Sequence, residues 1–440
     1  MRILYLHQYF VPPDASGGTR SYEQARRLVA RGHEVTMVTS NAMMPARWRG
    51  LDRVTHTELD GIRLVVLPVA YENRMDYRAR MAAFARFAAG ATQVAMRHRS
   101  DVVFATSTPL TIALPGLVAS FGRRVPMVFE VRDLWPELPI AMGALSHPLA
   151  KLAARGLEWA AYHGAAHVVA LSPAIADGVA QRGIPRDRIT VIPNACDLAA
   201  FSAAEAAAPA IRTRYLGDFD PARPLVLYGG TFGAINDVAW MADVAAAAAA
   251  RGSDLQFAMV GDGAGRDALL QRARAHGVLD RSLRVLPPVP KREMPGLLGC
   301  ATVASSLFLP LPEMRANSAN KFFDALAAAR PLAINYEGWH AELVTRSEAG
   351  IAMPYHDAAA AAGMLDAFAH DGPRLARARH ASAALARASF DRDMLATTLE
   401  EVLLRAAAGS PLPSRAPVRS ARAATNPAPG MAAVHTVPSG

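Results

Sequence analysis

Short apolar runs of strand length alternate with longer helical patterns along most of this chain, and no other feature of the sequence constrains the fold as strongly. In the first half, the apolar runs lie at residues 3–10, 35–39, 62–67, 102–105, 127–130, 168–171 and 189–192. Helical patterns lie between them, for example at residues 19–31 and 77–98. Because strands that alternate with helices form a parallel sheet covered on both faces, we predict an α/β domain here.

The same pattern begins again in the second half, with predicted strands at residues 225–228, 255–260, 283–286, 301–307 and 332–335. The 440 residues exceed what one ordinary core accommodates and suit two such domains. We therefore predict an α/β fold of two doubly wound, Rossmann-like parallel-sheet domains that face a central cleft. Ligands bind beyond the carboxyl ends of the strands in such sheets, so both domains can line one crevice.

Changes in pattern and composition set the predicted domain boundaries. Residues 1–195 form the first domain, residues 196–390 the second, residues 391–408 a closing helix and residues 409–440 a disordered tail. The Ala-rich stretch at residues 199–209 is predicted to be a linker or a surface turn. The tail is rich in Ser, Pro, Ala and Arg, a composition that cannot bury a core.

The net charge of +9 is concentrated in the first half. Residues 1–195 carry 23 Lys and Arg against 15 Asp and Glu, whereas residues 196–407 carry 21 against 23. Such a basic half attracts anionic lipid head groups, and nucleic acid as well; the alternative is an Arg-rich composition without a partner.

The absence of targeting signals bears on location. No stretch reaches the roughly 18 apolar residues of a membrane span, and no signal peptide is visible. The two cysteines, Cys196 and Cys300, lack metal-type spacing and fit a reducing compartment. We expect a cytoplasmic protein with a peripheral contact to the inner face of the cell membrane.

Two glycine-rich loops follow predicted strands. Gly17 and Gly18 lie after the first strand, just before a helix, and Gly230 and Gly233 lie after the first strand of the second domain. Glycines there let backbone amides approach a phosphate, and a helix N-terminus attracts negative charge. The first loop lacks the spacing of the dinucleotide-binding fingerprint, so an ordinary strand-to-helix turn is an equal alternative.

A third candidate site is the start of a predicted helix that Asn317 or Ser318 can cap. The exposed amides of Asn320 and Lys321 would then face the cleft, with the Lys321 charge beside them. Asp324, one turn further on, could accept hydrogen bonds from a ribose diol. This arrangement suits a nucleotide diphosphate; the alternative is an ordinary capped surface helix.

Charged residues crowd the end of one buried strand: Glu130, Arg132, Asp133 and Glu137. Buried charge is costly unless it is paired or functional. We therefore take Arg132 and Asp133, together with Lys321, as candidate catalytic residues. The alternative is a structural ion pair of Arg132 with Asp133 or Glu137.

Several motifs occur in a characteristic order. They are Gly17-Gly18, Arg-Asp-Leu-Trp-Pro-Glu at residues 132–137, Leu-Ser-Pro at 171–173, Val-Ile-Pro-Asn-Ala-Cys-Asp at 191–197 and Asn-Lys-Phe-Phe-Asp at 320–324. Over residues 1–405, this ordered set resembles glycosyltransferase family four. Within that family it is similar to the amino-sugar transferases of the WbuB-like, colanic-acid and O-antigen type.

The resemblance implies a GT-B fold and retaining transfer of a sugar, such as an N-acetylated hexosamine, from a nucleotide-diphosphate sugar such as a UDP-sugar. The implied acceptor is a lipid-linked glycan or a polysaccharide of the cell surface, O-antigen or capsule, held by the first domain. No cofactor, metal or nucleic-acid partner is expected. The donor-binding candidates are Gly17, Gly18, Gly230, Gly233, Asn320, Lys321 and Asp324.

The sequence departs from the family pattern at several positions. Asp324 stands where glutamate is usual, and Ala316 where a second glutamate is frequent, with Glu313 as the nearest substitute. Thr231 and Asn236 occupy positions where many members have an Arg and a Lys that grip the diphosphate. The missing basic pair favours a second hypothesis, a catalytically silent scaffold or binding partner in membrane glycan assembly. A nucleotide-sugar 2-epimerase, which shares the fold, is a third.

The segment at residues 74–99 carries six arginines and one acid. Its arginines are Arg74, Arg78, Arg80, Arg86, Arg97 and Arg99. Those at the start of the predicted helix oppose its dipole, so an external anion such as an anionic lipid leaflet would explain them. Apolar residues at positions 77, 81, 84, 87 and 94 form one stripe, which on the alternative interpretation packs on the first domain's sheet.

Overall fold

Two parallel sheets with helices on both faces make up this protein, as the alternating pattern predicts. The computed structural model describes residues 1–13, 15, 17–45, 48, 51–71, 75–143, 145–204 and 208–409. The predicted tail from residue 410 onwards therefore lies outside the described residues. No helix in the described part of the chain is long and apolar enough to cross a bilayer.

The first sheet has eight strands among the described residues, in the order β3-β4-β2-β1-β5-β6-β7-β8. Its strands are β1 (Arg2–Leu6), β2 (Glu34–Ser40), β3 (Thr55–Leu59), β4 (Ile62–Leu67), β5 (Val102–Thr106), β6 (Met127–Val131), β7 (His167–Ala170) and β8 (Ile189–Val191). The helices of this half are α1 (Arg20–Ala30), α2 (Tyr77–Arg97), α3 (Ala113–Arg123), α4 (Glu137–Ala141), α5 (Pro148–Gly164) and α6 (Pro173–Gln181). Neighbouring strands are parallel except β3 and β4, which are antiparallel.

The second sheet has six parallel strands among the described residues, in the order β11-β10-β9-β12-β13-β14. Its strands are β9 (Leu225–Gly229), β10 (Gln256–Val260), β11 (Leu283–Leu286), β12 (Val303–Ser306), β13 (Leu332–Ile334) and β14 (Gly350–Ala352). The helices from this half onward are α7 (Leu198–Ala204), α8 (Ala208–Leu216), α9 (Trp240–Ala250), α10 (Arg266–Ala275), α11 (Met294–Gly299), α12 (Asn320–Ala327), α13 (Trp339–Ser347), α14 (Ala358–His370), α15 (Gly372–Ser389) and α16 (Arg392–Ala408).

Three local expectations differ from the structure. The first strand ends at Leu6 rather than at residue 10, because the chain turns into the cleft loop there. The stretch predicted as a linker forms α7 and the start of α8, in keeping with the high helix propensity of alanine. Strands β3 and β14 were not predicted, since four of the five residues of β3 are polar and β14 has only three residues.

The last helix, α16, packs on the first sheet and not on the second. Its residues Leu399 and Leu403 are fully buried in the same core as Tyr5 of β1 and Phe104 of β5. Glu400 accepts hydrogen bonds from Arg31 at 2.9 Å and from His33 at 2.7 Å. The chain therefore returns to the first domain after it completes the second.

The two crossings between the domains lie side by side. The Cys196 amide donates to the Phe390 carbonyl at 2.7 Å, and the Arg392 amide donates to the Cys196 carbonyl at 3.2 Å. These bonds form a short parallel bridge at the point where the chain enters and leaves the second domain. The bridge fixes where α16 begins.

Replacing Leu399 with Ala should lower the free energy of unfolding of the first domain by about 2–5 kcal/mol, because it opens a cavity between α16 and the sheet. Urea unfolding followed by circular dichroism measures this change. Leu404→Ala on the same helix is the matched control: Leu404 is 45% exposed, so a change within about 0.5 kcal/mol is expected. Equal stability of the Leu399→Ala variant and the wild type would contradict the packing.

Candidate functional site

A cleft of about 980 Å³ opens between the two domains, at the carboxyl ends of strands from both sheets. The first domain contributes the loop after β1 and the start of α1, and the second contributes the loops after β9, β10 and β11 and the start of α12. Helix α16 adds one further wall through Arg392 and Leu395. Ligand sites of open α/β sheets lie in this position.

The structure brings most of the predicted donor-binding residues into this cleft. Those that line it are Gly17, Gly18, Gly230, Asn320, Lys321 and Asp324. Gly233 does not; its amide instead donates to the Asn236 side chain at 3.2 Å. Residues that are far apart in the sequence thus meet along one surface, although their individual roles stay predictions.

A buried ion pair holds the first domain's edge of the cleft. Arg20, the first residue of α1, donates to Glu130 of β6 from Nε at 3.1 Å and from Nη2 at 2.8 Å. Its guanidinium also donates to the carbonyls of Ile192 and Pro193 at 2.8 and 2.6 Å, and Thr106 donates to Glu130. Burial would raise the pKa of Glu130, but the charge and hydrogen bonds of Arg20 outweigh it and hold that pKa below its usual value.

The two domains touch beside the start of α12. A Cβ atom on Gly18 would lie 2.8 Å from Asn320 Nδ2, so a glycine permits this close approach. The Asn194 side chain donates to the Ser318 carbonyl at 2.6 Å, and the Asn194 amide donates to Ser318 Oγ at 3.2 Å. These contacts place the first turn of α12 at the centre of the cleft.

The cap predicted at Asn317 or Ser318 is wrong. Helix α12 begins after Ala319, and no side chain caps it, because the Ser318 hydroxyl is used by Asn194 across the domain boundary. The first amides of the helix are therefore left to other partners. An anion in the cleft would meet them and the positive end of the helix dipole.

Lys321 lies in an unusually apolar position for a lysine. Its Nζ donates to the Tyr228 hydroxyl at 2.7 Å and lies 4.6 and 4.9 Å from the ring centroids of Tyr228 and Phe308. Burial lowers its pKa to about 7. A cation held between two aromatic faces is partly stabilised by them, but a diphosphate would stabilise it far more.

Asp324 forms an ion pair that the sequence does not reveal. Its Oδ2 accepts from Lys291 Nζ at 2.7 Å. Lys291 and Arg292 lie in the loop after β11 and line the cleft. The signal that could have found them is their position in the loop that follows a predicted strand, the same rule that selects the glycine loops. Gly261, directly after β10, also lines the cleft, and the same rule could have found it.

Arg132 and Asp133 do not line the cleft. The Arg132 guanidinium lies 3.3 Å from His7 Nε2, and Asp133 lies in a separate small cavity with Glu313 and Asn317. Burial raises the pKa of Asp133 despite the nearby Arg132 charge. Their catalytic role stays a prediction.

The neighbouring acids take partners other than those considered from the sequence. Glu130 pairs with Arg20, and Glu137 pairs with Arg182. A pair of Arg132 with Glu137 is therefore not formed. Two of the four charged residues at this strand end, Glu130 and Glu137, thus belong to separate structural ion pairs, and neither pair includes Arg132 or Asp133.

Two of the positions that depart from the family pattern, Asn236 and Ala316, make structural contacts here. The Asn236 side chain accepts from the Gly233 amide and donates to the Leu307 carbonyl at 3.2 Å, which braces the loop after β9. Ala316 is buried, and its carbonyl accepts from Ser172 Oγ at 2.6 Å. Glu313 lies in the small cavity outside the cleft, so it does not replace the missing glutamate there.

Comparison with solved structures identifies the fold. HepE of Anabaena, in complex with UDP-glucose, superimposes with a TM-score of 0.68 at 18% identity over 92% of this chain and 99% of that one. Sucrose-phosphate synthase of Thermosynechococcus elongatus gives 0.69 at 17% identity over 93% and 100%. WaaG, a glycosyltransferase involved in lipopolysaccharide biosynthesis, gives 0.64 at 14% identity over 91% and 99%. At these identities the likeness shows the fold alone, which is GT-B.

Family models match both halves of the chain. Residues 17–195 match the glycosyl transferase 4-like domain, and residues 223–371 match glycosyl transferases group 1. A search of curated protein sequences gave no match. The two models follow each other in the order of the two sheets, and together they cover most of the chain. The chain therefore belongs to the glycosyltransferases, with a glycosyl transferase 4-like domain followed by a group 1 domain.

Proposed function

We propose that this glycosyltransferase transfers a sugar from a UDP-sugar to a lipid-linked glycan, with retention of the anomeric configuration. The observation that carries the proposal is the uncapped start of α12 in the interdomain cleft, with Lys321 and Asp324 beside it. The complex of HepE with UDP-glucose, a protein of the same fold, supports the donor class. We further propose an N-acetylated hexosamine as the sugar and cell-surface glycan biosynthesis as the pathway, on the ordered motifs of the sequence.

The diphosphate would lie against the first turn of α12. The amides there have no side-chain cap, and Lys321 supplies a positive charge within the same turn. Arg292 provides further positive charge from the loop after β11, whereas the charge of Lys291 is paired with Asp324. These groups take the place of the basic pair that Thr231 and Asn236 do not provide.

The ribose would bind one turn further along the helix. Asp324 faces the cleft with one oxygen on Lys291, which keeps the carboxylate in position. A carboxylate can accept hydrogen bonds from both hydroxyls of a ribose diol. Lys291 is then a positioning residue for Asp324.

Catalysis in this arrangement would come from orientation and from stabilisation of the leaving diphosphate. Negative charge grows on the diphosphate as the bond to the sugar breaks, so Lys321 and the helix amides act most strongly in the transition state. The acceptor hydroxyl attacks from the face that the diphosphate leaves, and the diphosphate accepts its proton. No protein side chain is assigned as general base.

A catalytically silent scaffold is the second candidate, and Asn236 is the observation that favours it. The hydrogen bonds of this side chain join two parts of the second domain, and an uncharged amide cannot bind a phosphate as a cation would. Donor hydrolysis separates the two candidates: a glycosyltransferase releases UDP from its donor slowly in water, whereas a scaffold that binds the donor releases none.

Replacing Asp324 with Ala should weaken donor binding by about 1.5–3 kcal/mol for each charge-assisted hydrogen bond lost to the ribose. Isothermal titration with the UDP-sugar measures the loss. The matched control is Asp267→Ala, which removes an exposed acid of α10 in the same domain. An unchanged dissociation constant for Asp324→Ala would remove this residue from the donor site.

Donor binding should weaken as the pH rises from 7 to 9. Burial lowers the pKa of Lys321 to about 7, so its ammonium loses the proton as the pH rises through that value. A diphosphate binds the charged form, so affinity is full below about pH 7 and falls by up to about tenfold per pH unit above it. Titrations from pH 6 to 9 measure the slope. Lys321→Arg keeps its charge over this range and should flatten the slope; a slope that persists in this variant would assign the titration to another group.

Transfer should continue in the presence of excess chelator. The helix amides, Lys321 and Arg292 can together meet the charge of the diphosphate. In the described part of the chain, no group of three or more His, Cys, Asp or Glu side chains could hold a metal ion. Activity that is lost in EDTA and restored by manganese would contradict metal independence.

A further inference from the structure

Two helices of the first domain expose an apolar surface to solvent. Helix α3 presents Leu114, Val118 and Phe121, and helix α5 presents Leu149, Leu152 and Trp159; each is between 42% and 73% exposed. Within each helix these residues are spaced by three, four or seven positions, so each set lies along one side of its helix. We name these six residues the apolar face. Contiguous exposed apolar surface marks an interaction site.

The two stripes are joined into one surface. A Cβ atom on Gly164, at the end of α5, would lie 2.4 Å from Leu117 of α3 and 3.8 Å from the Phe121 ring. The His163 ring stacks on Trp159 with centroids 4.3 Å apart, which carries the surface along α5. The two helices therefore lie against each other at this end, and a broad partner could cover both stripes at once.

Basic residues lie on the two helices that carry the apolar face and on the neighbouring helix α2. Helices α2, α3 and α5 contain seven lysines and arginines, and their single acid is Glu158. The Glu158 side chain is buried and pairs with Arg182, so it does not oppose this charge at the surface. Exposed Arg155 lies on α5 between Leu152 and Trp159. The face thus combines apolar side chains with positive charge that no exposed acid of the same three helices opposes.

Helix α2 packs on α3 and places charge beside the apolar face. The centre of its predicted stripe is buried: Phe84 and Phe87 pack inside the first domain. Arg78 and Arg86 point outward, while Arg74 lies outside the described residues. The alternative interpretation of the stripe, packing within the first domain, is therefore correct for these residues.

We propose that the apolar face is a docking surface for an anionic lipid bilayer, with Phe121 and Trp159 inserted among the head groups. Apolar and aromatic side chains flanked by Lys and Arg are the chemistry that binds such an interface. A second copy of this chain fits less well, because a two-fold contact would place the same basic surface against itself. This proposal rests on the proposed function, since it presents the protein to a lipid-linked acceptor.

The position of the face fits delivery of such an acceptor. Helix α3 begins shortly after the carboxyl end of β5, at the edge of the sheet where the cleft opens. Leu114 lies at this end of the stripe and Phe121 at the other. A bilayer on the apolar face would thus lie beside the cleft, and no spanning helix would be required.

Vesicle co-sedimentation at low salt tests the proposal, with phosphatidylcholine vesicles compared with vesicles that contain phosphatidylglycerol. The wild type should bind the anionic vesicles at least tenfold more tightly than the neutral ones.

Two double variants should each reduce that binding at least tenfold: Phe121→Ser with Trp159→Ser, and separately Lys151→Ser with Arg155→Ser. The matched controls are Met364→Ser with Leu404→Ser, exposed apolar residues elsewhere, and Arg379→Ser with Arg387→Ser on α15; these should bind as the wild type does.

Three results would overturn the proposal. The first is equal binding to neutral and anionic vesicles, and the second is unchanged binding by the Phe121 and Trp159 variant. The third is a wild-type dimer in sedimentation equilibrium that this variant dissociates, which would make the face a contact between copies. Thermal stabilisation of the same proteins by the UDP-sugar, without lipid, measures donor binding separately. If the wild type binds the donor but does not bind anionic vesicles, the docking surface is wrong. If the wild type binds anionic vesicles but does not bind the donor, the proposed function is wrong.

Discussion

The buried ion pair of Arg20 and Glu130 is the constraint on which the cleft depends. It joins the start of α1 to the centre of the first sheet and, through two carbonyls after β8, to the segment that leads into the second domain. Removing one partner of such a pair costs about 3–5 kcal/mol, because the other charge is left buried. With α1 fixed at Arg20, Gly18 two residues before it lies against Asn320 of the other domain.

The sequence predicts the fold well because a buried parallel strand is apolar on both faces and stands out as a continuous run. Strand β3 was not predicted because it is an antiparallel edge strand, and four of its five residues are polar. The site is only partly predictable. Glycines and a helix start mark where the chain bends towards a ligand, but the pairs Lys291–Asp324 and Asn194–Ser318 join distant segments. Nothing local in the sequence indicates such partners, nor that Ser318 is used across the domains instead of as a cap.

In the second domain, the residues that bring positive charge to the cleft are not those of the family pattern. Asn236 supports the loop after β9 by hydrogen bonds and carries no charge. Positive charge comes instead from Lys321 beside two rings and from Arg292 in the loop after β11, whereas Lys291 is paired with Asp324. The pKa of Lys321 is lowered because a cation is unfavourable in a largely apolar position. A bound anion would stabilise the charged form and raise that pKa again.

The return of α16 to the first sheet also affects how the protein is made. Leu399 and Leu403 complete a core whose other members, such as Tyr5 and Phe104, leave the ribosome about 300 to 400 residues earlier. At the usual rate of synthesis, roughly 5–20 residues per second, that part of the first domain stays uncovered for about 15 seconds or longer. The buried core residues of the second domain, by contrast, all lie within the continuous stretch from Cys196 to Phe390. The first domain is therefore completed after the second. Until α16 is synthesised, the apolar side chains that it covers stay exposed on the nascent chain, where they favour aggregation.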